Sequence, residues 1–306
     1  MRRLSCRFNV PGLQLIALGF LALNLSGCAP APGPAAEGAA TPPAQVALEN
    51  KGSDTMVNLA LAWAEAYQVV NPEVRLSVTG GGSGTGLAAL INGTVDIANA
   101  SRAIKAEERT EAGANGIEPV EFVVARDAIA IVVNPANPVN ALTLPQLSAI
   151  YRGEITNWRA VGGEDRPIVL LSRETNSGTH VFFLENVVRL GEKGNASLFS
   201  PDTLLMPSSE GISAEVRQNP NAIGYDGLGY VTADMKTVAV AAAAGQPFVM
   251  PAIETVNNGA YPIARDLYMY TRGQPTDHVA AYMTWVLGPD AQAIVARLGF
   301  VPIQPK

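Results

Sequence analysis

The chain has 306 residues, with 27 acidic against 21 basic side chains, a formal net charge of −6 and 48% hydrophobic residues. That length is enough for two lobes around buried cores, and the negative balance argues against nucleic acid as a partner. Two cysteines, Cys6 and Cys28, are too few for a disulfide framework.

Three arginines in residues 1–7 precede a mostly apolar run from Phe8 to Leu25, the pattern of a secretion signal. Leu25-Ser26-Gly27-Cys28 follows and resembles the bacterial lipobox, which marks residues 1–27 as a lipoprotein signal peptide and Cys28 as the lipidated residue. Cleavage there removes Cys6, three arginines and no acidic residue, so the mature chain carries −9 and no internal disulfide. Residues 28–45 run from Cys28 to Gln45, and those between are Ala, Pro, Gly and Thr with one charge at Glu37, too poor in large apolar groups to fold. They read as an extended tether.

From residue 46 onward, apolar runs alternate with helical periods. Val46-Ala-Leu48 leads into Gly52-Ser53-Asp54-Thr55 and a helix from Met56 to Val70, stopped by Asn71-Pro72. Asp54 stands where an N-cap residue for that helix belongs. Val74 to Thr79 alternates as a strand and opens into Gly80-Gly-Gly-Ser83-Gly-Thr85-Gly86 and a short helix; Val95 to Ala100 is a further strand, ending in Ser101-Arg102. Repetition of strand, turn and helix predicts an α/β layer with a largely parallel sheet. Further helices are predicted over Pro145–Tyr151, His180–Leu190, Ser209–Gln218, Asp277–Leu287 and Asp290–Leu298, and a strand over Ile168–Leu171. Two tripeptides match, Ala125-Arg126-Asp127 and Ala264-Arg265-Asp266, each before an apolar run. Paired strands crossing between two lobes explain both: the chain leaves the first lobe near 125 and returns near 265.

The stretch Ser172-Arg-Glu-Thr-Asn-Ser-Gly-Thr179 joins the Ile168 strand to the helix beginning at His180. Backbone N–H groups at a helix start have no intrahelical partner and the dipole there is positive, so an oxyanion fits. Arg173 supplies a forked donor, and Ser177 and Thr179 supply hydroxyls. The turns Gly52–Thr55 and Gly80–Gly86 share this design. A phosphate-binding loop of nucleotide type is excluded because no lysine follows Gly86, and a dinucleotide fingerprint lacks its spacing and its acidic residue. A serine-hydrolase elbow needs glycine where Thr85 stands. His180 and His278 have no partner at zinc-ligand spacing, so neither metal nor cofactor is expected. Glu107-Glu108 reads as a solvated helix face and His180 as a packing or capping residue; an enzyme is not excluded by these residues, but no nucleophile with its base is evident.

Six motifs in order, Gly52-Ser-Asp-Thr, Gly80-Gly-Gly-Ser-Gly-Thr-Gly, Asp96-Ile-Ala-Asn-Ala-Ser-Arg102, Ile150-Tyr-Arg-Gly-Glu-Ile-Thr-Asn-Trp158, Arg173-Glu-Thr-Asn-Ser-Gly-Thr179 and Ala222-Ile-Gly-Tyr225, resemble the PstS family of phosphate-binding proteins of ABC transporters. The resemblance implies a two-lobed periplasmic-binding-protein fold of type II, with mixed or parallel sheets in each lobe and two crossover strands as the hinge. Lobe I is then 46–124 plus 266–306, and lobe II is 125–265. It also implies a monomeric, lipid-anchored receptor facing the periplasm or cell exterior, with inorganic phosphate and the permease subunits as partners. Another tetrahedral oxyanion such as sulfate or molybdate, a phosphatase on the same scaffold, and an adhesin are the alternatives. Carried over by position, Arg173, Ser177, Gly178 and Thr179 match the family's binding turn and Ser83 its glycine-rich turn. Two positions depart. Asp54-Thr55 stand where many members have a hydroxyl residue followed by a backbone donor, and Ser101-Arg102 where some have Ser-Asp. The aspartate of those members accepts the proton of hydrogen phosphate, which Arg102 cannot do. Asp54 is expected to take that role, its charge balanced by Arg102.

Overall fold

The computed structural model describes residues 45–303; the leader, Cys28 and residues 28–44 of the tether lie outside them. In chain order the elements are β1 (Val46–Gly52), α1 (Val57–Val70), β2 (Val74–Thr79), α2 (Ser83–Ile91), β3 (Ile97–Ala100), α3 (Ala106–Ala114), β4 (Val120–Val133), β5 (Ala141–Thr143), α4 (Leu144–Tyr151) and β6 (Val169–Arg173). There follow α5 (Gly178–Phe183), β7 (Leu204–Met206), α6 (Ser209–Gln218), β8 (Ala222–Gly227), β9 (Lys236–Ala241), α7 (Ile253–Asn257), β10 (Ala264–Thr271), α8 (Asp277–Val286) and α9 (Pro289–Arg297).

The strands run in the order β2-β1-β3-β10-β4-β8-β6-β7, with β5 and β9 attached through β4. β1 is parallel to β2 and β3, and β6 is parallel to β7 and β8, while β10 is antiparallel to β3 and β4. The long strand β4 belongs to both halves of this mixed sheet. Its first part pairs with β10 up to Ala128↔Ala264, and from Ile129 onward it pairs with β8 and β9. A bulge leaves Val124 without a partner on β10, and its carbonyl accepts instead from Gln292 Nε2 of α9 at 2.9 Å. A buried carbonyl left unpaired would cost stability, so this contact ties α9 to the crossing strands.

Two large apolar clusters flank the crossing. On one side Met56, Leu59, Trp63 and Tyr67 meet Leu267 and Met269 of β10, Tyr282 and Val286 of α8, and Val295 of α9. On the other, Ile129, Ile131 and Val133 of β4 pack with Leu147, Ile150, Tyr151, Phe183, Val187 and Tyr225. β4 shows an uninterrupted buried run from Asp127 to Val133 because both of its faces are covered. Helix starts follow local chemistry: Thr143 and Gln146 cap α4 reciprocally, and Ser208 Oγ accepts from Gly211 N to start α6. The predicted helix His180–Leu190 is instead α5 followed by a π-helical turn over Leu184–Val188. Val187 and Val188 at the end of this turn are both fully buried in the core. Among the described residues no helix is long and apolar enough to cross a membrane.

Gly86 rests directly on β1: a Cβ there would collide with the Lys51 carbonyl oxygen and lie 2.5 Å from the Gly52 Cα. Backbone cannot yield as a side chain does, so Gly86→Ala is expected to cost about 2–4 kcal/mol. Urea melts would show this as a lower midpoint at unchanged slope. An unshifted midpoint would mean that α2 does not seat on β1 as described.

Candidate functional site

Strands β1, β2 and β3, parallel to one another, and β6 from the other half of the sheet bring their carboxyl ends to one place, and the turns that follow them are bonded to one another. Ser53 N donates to Asn99 O at 2.8 Å and Gly82 N to Gly52 O at 2.9 Å. Gly84 N donates to Asn176 O at 3.0 Å, and Asn176 Nδ2 returns a bond to Gly81 O at 2.9 Å, which joins the glycine-rich turn to the turn after β6. At Gly178 a Cβ would collide with Ser83 Oγ and lie 2.6 Å from Ser101 Oγ. Only glycine therefore lets the start of α5 settle on these two serines. Ser83 Oγ and Ser101 Oγ are 3.2 Å apart, Ser101 N donates to Ser83 Oγ at 3.0 Å, and Thr55 Oγ1 and Thr179 Oγ1 share a hydrogen bond of 2.7 Å. Ser177 Oγ accepts from Thr179 N at 3.2 Å.

Two buried arginines stand near these turns, Arg265 among the hydroxyls and Arg173 at the end of β6. Arg265 Nη2 lies 3.0 Å from Thr179 Oγ1 and 3.4 Å from Thr55 Oγ1, and Nη1 donates to Ser101 O at 2.9 Å. Its charge is met by Asp127, fully buried, whose Oδ2 is 3.0 Å from Nη2. The two Ala-Arg-Asp segments pair antiparallel with Arg265 opposite Asp127 and Asp266 opposite Arg126. One ion pair is thus buried at the site, and the other, Arg126 to Asp266 at 3.5 Å, is half-exposed on the opposite face. Arg173 is 1% exposed and already engaged: Nε donates to Met206 O at 3.3 Å, Nη1 to Ser209 Oγ at 3.0 Å and Nη2 to Pro207 O at 3.0 Å. Asp54 Oδ2 stands 3.1 Å from Arg173 Nη2 and accepts from Ser209 N at 2.9 Å. Ser209 Oγ donates on to Asp226 Oδ1 at 2.8 Å.

Thr55, Ser83, Ser101, Gly178 and Thr179 are thus together, with Ser177 holding the turn. Arg102 is placed differently from expectation. Its guanidinium forks onto Glu108 at 2.6 and 2.8 Å, and the counter-charge of Asp54 is Arg173. Glu108 is accordingly no solvated residue; it accepts from Lys105 N at the start of α3 as well. Asp54 caps no helix through its side chain, because that carboxylate reaches across to Ser209 and Arg173. His180 Nδ1 bonds Ser172 Oγ at 3.0 Å, and burial lowers its pKa, so it stays neutral beneath the turn. Ser172 Oγ is also 2.5 Å from the hydroxyl of Tyr225, whose ring stacks on Phe183. Sequence reasoning missed Arg265, Asp127, Ser209 and Asp226 as site residues. For the first two the duplicated tripeptide was the available signal; Ser209 and Asp226 give none.

A model of the PBP superfamily domain matches residues 37–290. The phosphate-binding protein PstS of Pseudomonas aeruginosa is 33% identical over 276 residues, covering 85% of this chain and 84% of the relative. PstS of Bacillus subtilis is 32% identical over 257 residues, covering 84% and 80%. A Clostridium perfringens protein assigned as a phosphate ABC transporter substrate-binding protein, whose crystal structure holds bound phosphate, superposes with a TM-score of 0.75 at 31% identity, covering 85% of this chain and 100% of that one. Those solved and curated relatives place the chain in the two-lobed periplasmic-binding fold of type II.

Asp226 gives the site a measurable signature. Burial pushes its carboxyl from the usual 3.8 up to about 7, outweighing the hydrogen bonds from Ser209 and Gly227 N and the nearby Arg173 charge. Oδ2 has no hydrogen-bond partner among the described residues. A raised carboxyl pKa means the folded state holds the proton longer than the unfolded one. Its stabilising effect is complete below about pH 4 and is lost as pH rises to about 7. Asp226→Asn keeps the shape and the acceptor oxygen but not the titration. Relative to the parent, its thermal midpoint is expected to rise from pH 5 to pH 8; a difference independent of pH would show that Asp226 ionises normally.

Proposed function

The chain belongs to the PstS family of phosphate-binding proteins, and on that premise we propose that it is an extracytoplasmic receptor that captures inorganic phosphate between two lobes and delivers it to an ABC permease. The observation that carries this reading is the meeting of hydroxyls from four strand ends, Thr55, Ser83, Ser101 and Thr179, beside the buried Arg265. Hydroxyls now bonded to one another can rotate onto an oxyanion held at the start of α5, where Ser177, Gly178 and Thr179 begin the helix. A tetrahedral anion needs about this many donors in a dry site. In this reading the lobes are 46–124 plus 266–306 and 125–265, with β4 and β10 as the hinge, and the lipobox-like cysteine with its tether holds a monomer at the membrane. The chain binds and releases its ligand without chemistry.

Arg265 is the cation we assign to the ligand, with Arg173 as its partner across the site. Arg173 spends its donors on Met206, Pro207, Ser209 and Asp54, whereas Arg265 Nη2 stands among the ligand hydroxyls. Isothermal titration with phosphate, sulfate and molybdate tests the whole reading. Tight phosphate binding with no hydrolysis of phosphate esters is expected. The double variant Asp127→Asn/Arg265→Gln leaves no lone buried charge, and its phosphate affinity is expected to fall by about two to three decades. Near-normal binding by a folded double variant would return the role to Arg173.

Asp54 bears on selectivity. One of its oxygens is held by Ser209 N and Arg173, and among the described residues no hydrogen bond occupies Oδ1. We assign Oδ1 as the acceptor for the proton that hydrogen phosphate keeps and sulfate lacks. Asp54→Asn is expected to weaken phosphate about tenfold or more and to raise sulfate affinity. Were Asp54 only a link between the halves, both anions would weaken together, and the acceptor would lie elsewhere.

A further inference from the structure

Two sets of contacts join the turns of the two lobes around the hydroxyls, and they differ in character. On one flank Asp54 of the first lobe reaches into the second: Oδ2 meets Ser209 N at 2.9 Å and Arg173 Nη2 at 3.1 Å, and its carbonyl accepts from Tyr230 Oη at 2.8 Å. That flank is charged, and its arginine is fully buried. On the other flank the crossing residue is Asn176 of the second lobe, neutral and exposed at the edge of the site. Its carbonyl accepts from Gly84 N at 3.0 Å, and its Nδ2 donates to Gly81 O at 2.9 Å and reaches Thr85 Oγ1 at 3.4 Å.

The glycine-rich turn is shaped to receive this residue. Gly82 has a φ of +91°, which glycine adopts without strain, and a Cβ there would lie 2.8 Å from the Asn176 carbonyl oxygen. Backbone therefore meets backbone, and the Asn176 carboxamide spans from one turn to the other. Thr85 Oγ1 gives its proton to Gly81 O at 2.7 Å, so a side chain at 176 has to bring a donor to this place. Asparagine does so, whereas a carboxylate would face two oxygens with no proton to offer. Hydrogen bonds exposed to water open at lower free energy than buried charged ones, so the turns part first on this flank.

We propose that Asn176 is a positioning residue for phosphate binding: its carboxamide clasps the glycine-rich turn when the lobes are closed, and so sets how long phosphate is held without touching it. This rests on the phosphate reading above and on its two lobes. Ligand reaches the strand-end hydroxyls while the turns are apart, so the clasp forms after entry and has to break before exit. A contact made only in the closed state slows release and leaves entry unchanged.

The test compares the mature protein with Asn176→Ala and Asn176→Leu, the second of which keeps the volume of asparagine and removes its donor. Titration gives the affinity for inorganic phosphate, and a chase of labelled phosphate with excess unlabelled phosphate gives the release rate. Both variants are expected to release phosphate about three- to tenfold faster, the worth of one neutral hydrogen bond. Association, taken as release rate over dissociation constant, is expected to stay within about twofold of the parent. Thermal midpoints without phosphate are expected to match the parent's, while the rise brought by a fixed phosphate concentration shrinks. Parental release rates in both variants overturn the proposal and leave the phosphate reading standing, as does an affinity loss carried by slower association. Faster release in Asn176→Ala that Asn176→Leu restores also overturns it, because packing and not the donor would then hold the turns. So does a phosphate-free midpoint lowered as far as the bound one, the mark of a structural brace. Absence of phosphate binding in the parent would remove the phosphate reading and this proposal together.

Discussion

A buried ion pair between two antiparallel strands, Arg265 to Asp127 at 3.0 Å, is the interaction on which the rest of the site depends. Both residues lie where the sheet passes from one half to the other, so the guanidinium is fixed by the fold and not by a mobile loop. From that anchor it reaches Ser101, Thr55 and Thr179, which belong to three different strand-end turns. Removing a charge from water is costly, and the pair is tolerated because Asp127 also accepts from Leu228 N while Arg265 bonds a carbonyl and two hydroxyls. Burial still holds the Asp127 carboxyl above its ordinary pKa, against the favourable field of Arg265.

Each arginine carries its own carboxylate, Asp127 for Arg265 and Asp54 for Arg173, so the site presents little net charge before a ligand arrives. Attraction for an anion then comes from oriented N–H and O–H dipoles at short range. This reconciles an oxyanion site with a protein of net negative charge. It also explains the weight of geometry in the turns, since dipoles lose their effect with distance and angle faster than charges do.

Much of this was legible in the sequence. Strand, turn and helix along β1–α1, β2–α2 and β6–α5 were marked by glycines, hydroxyls and apolar period, because those signals are local. Thr55, Ser83, Ser101, Gly178 and Thr179 could be placed on the turns for the same reason. Partnerships between distant residues could not. Arg102 was expected beside Asp54, yet the turn after Ser101 swings its side chain onto Glu108, six residues on. Asp54 looked like an N-cap because a cap depends only on neighbours, and its real partners are more than a hundred residues away. Arg265 sat in view as half of a repeated tripeptide, but nothing in one strand reveals which strand will lie beside it. The π-helical turn at Leu184 was hidden because the apolar spacing of Val181, Leu184, Val187 and Val188 reads equally well as a regular helix.

The repeated Ala-Arg-Asp also governs alignment of the two crossing strands. In the observed register Arg265 faces Asp127 and Asp266 faces Arg126. Sliding β10 by one residue in one direction sets Arg265 against Arg126; sliding it in the other sets Asp266 against Asp127. Like charges directly opposite in a ladder repel, and here one of the two positions is dry. Misalignment in either sense is therefore penalised electrostatically, and six residues act as a two-sided lock on the two strands that join the halves of the sheet. The same residues that fix Arg265 among the strand-end hydroxyls also keep the crossing strands in step.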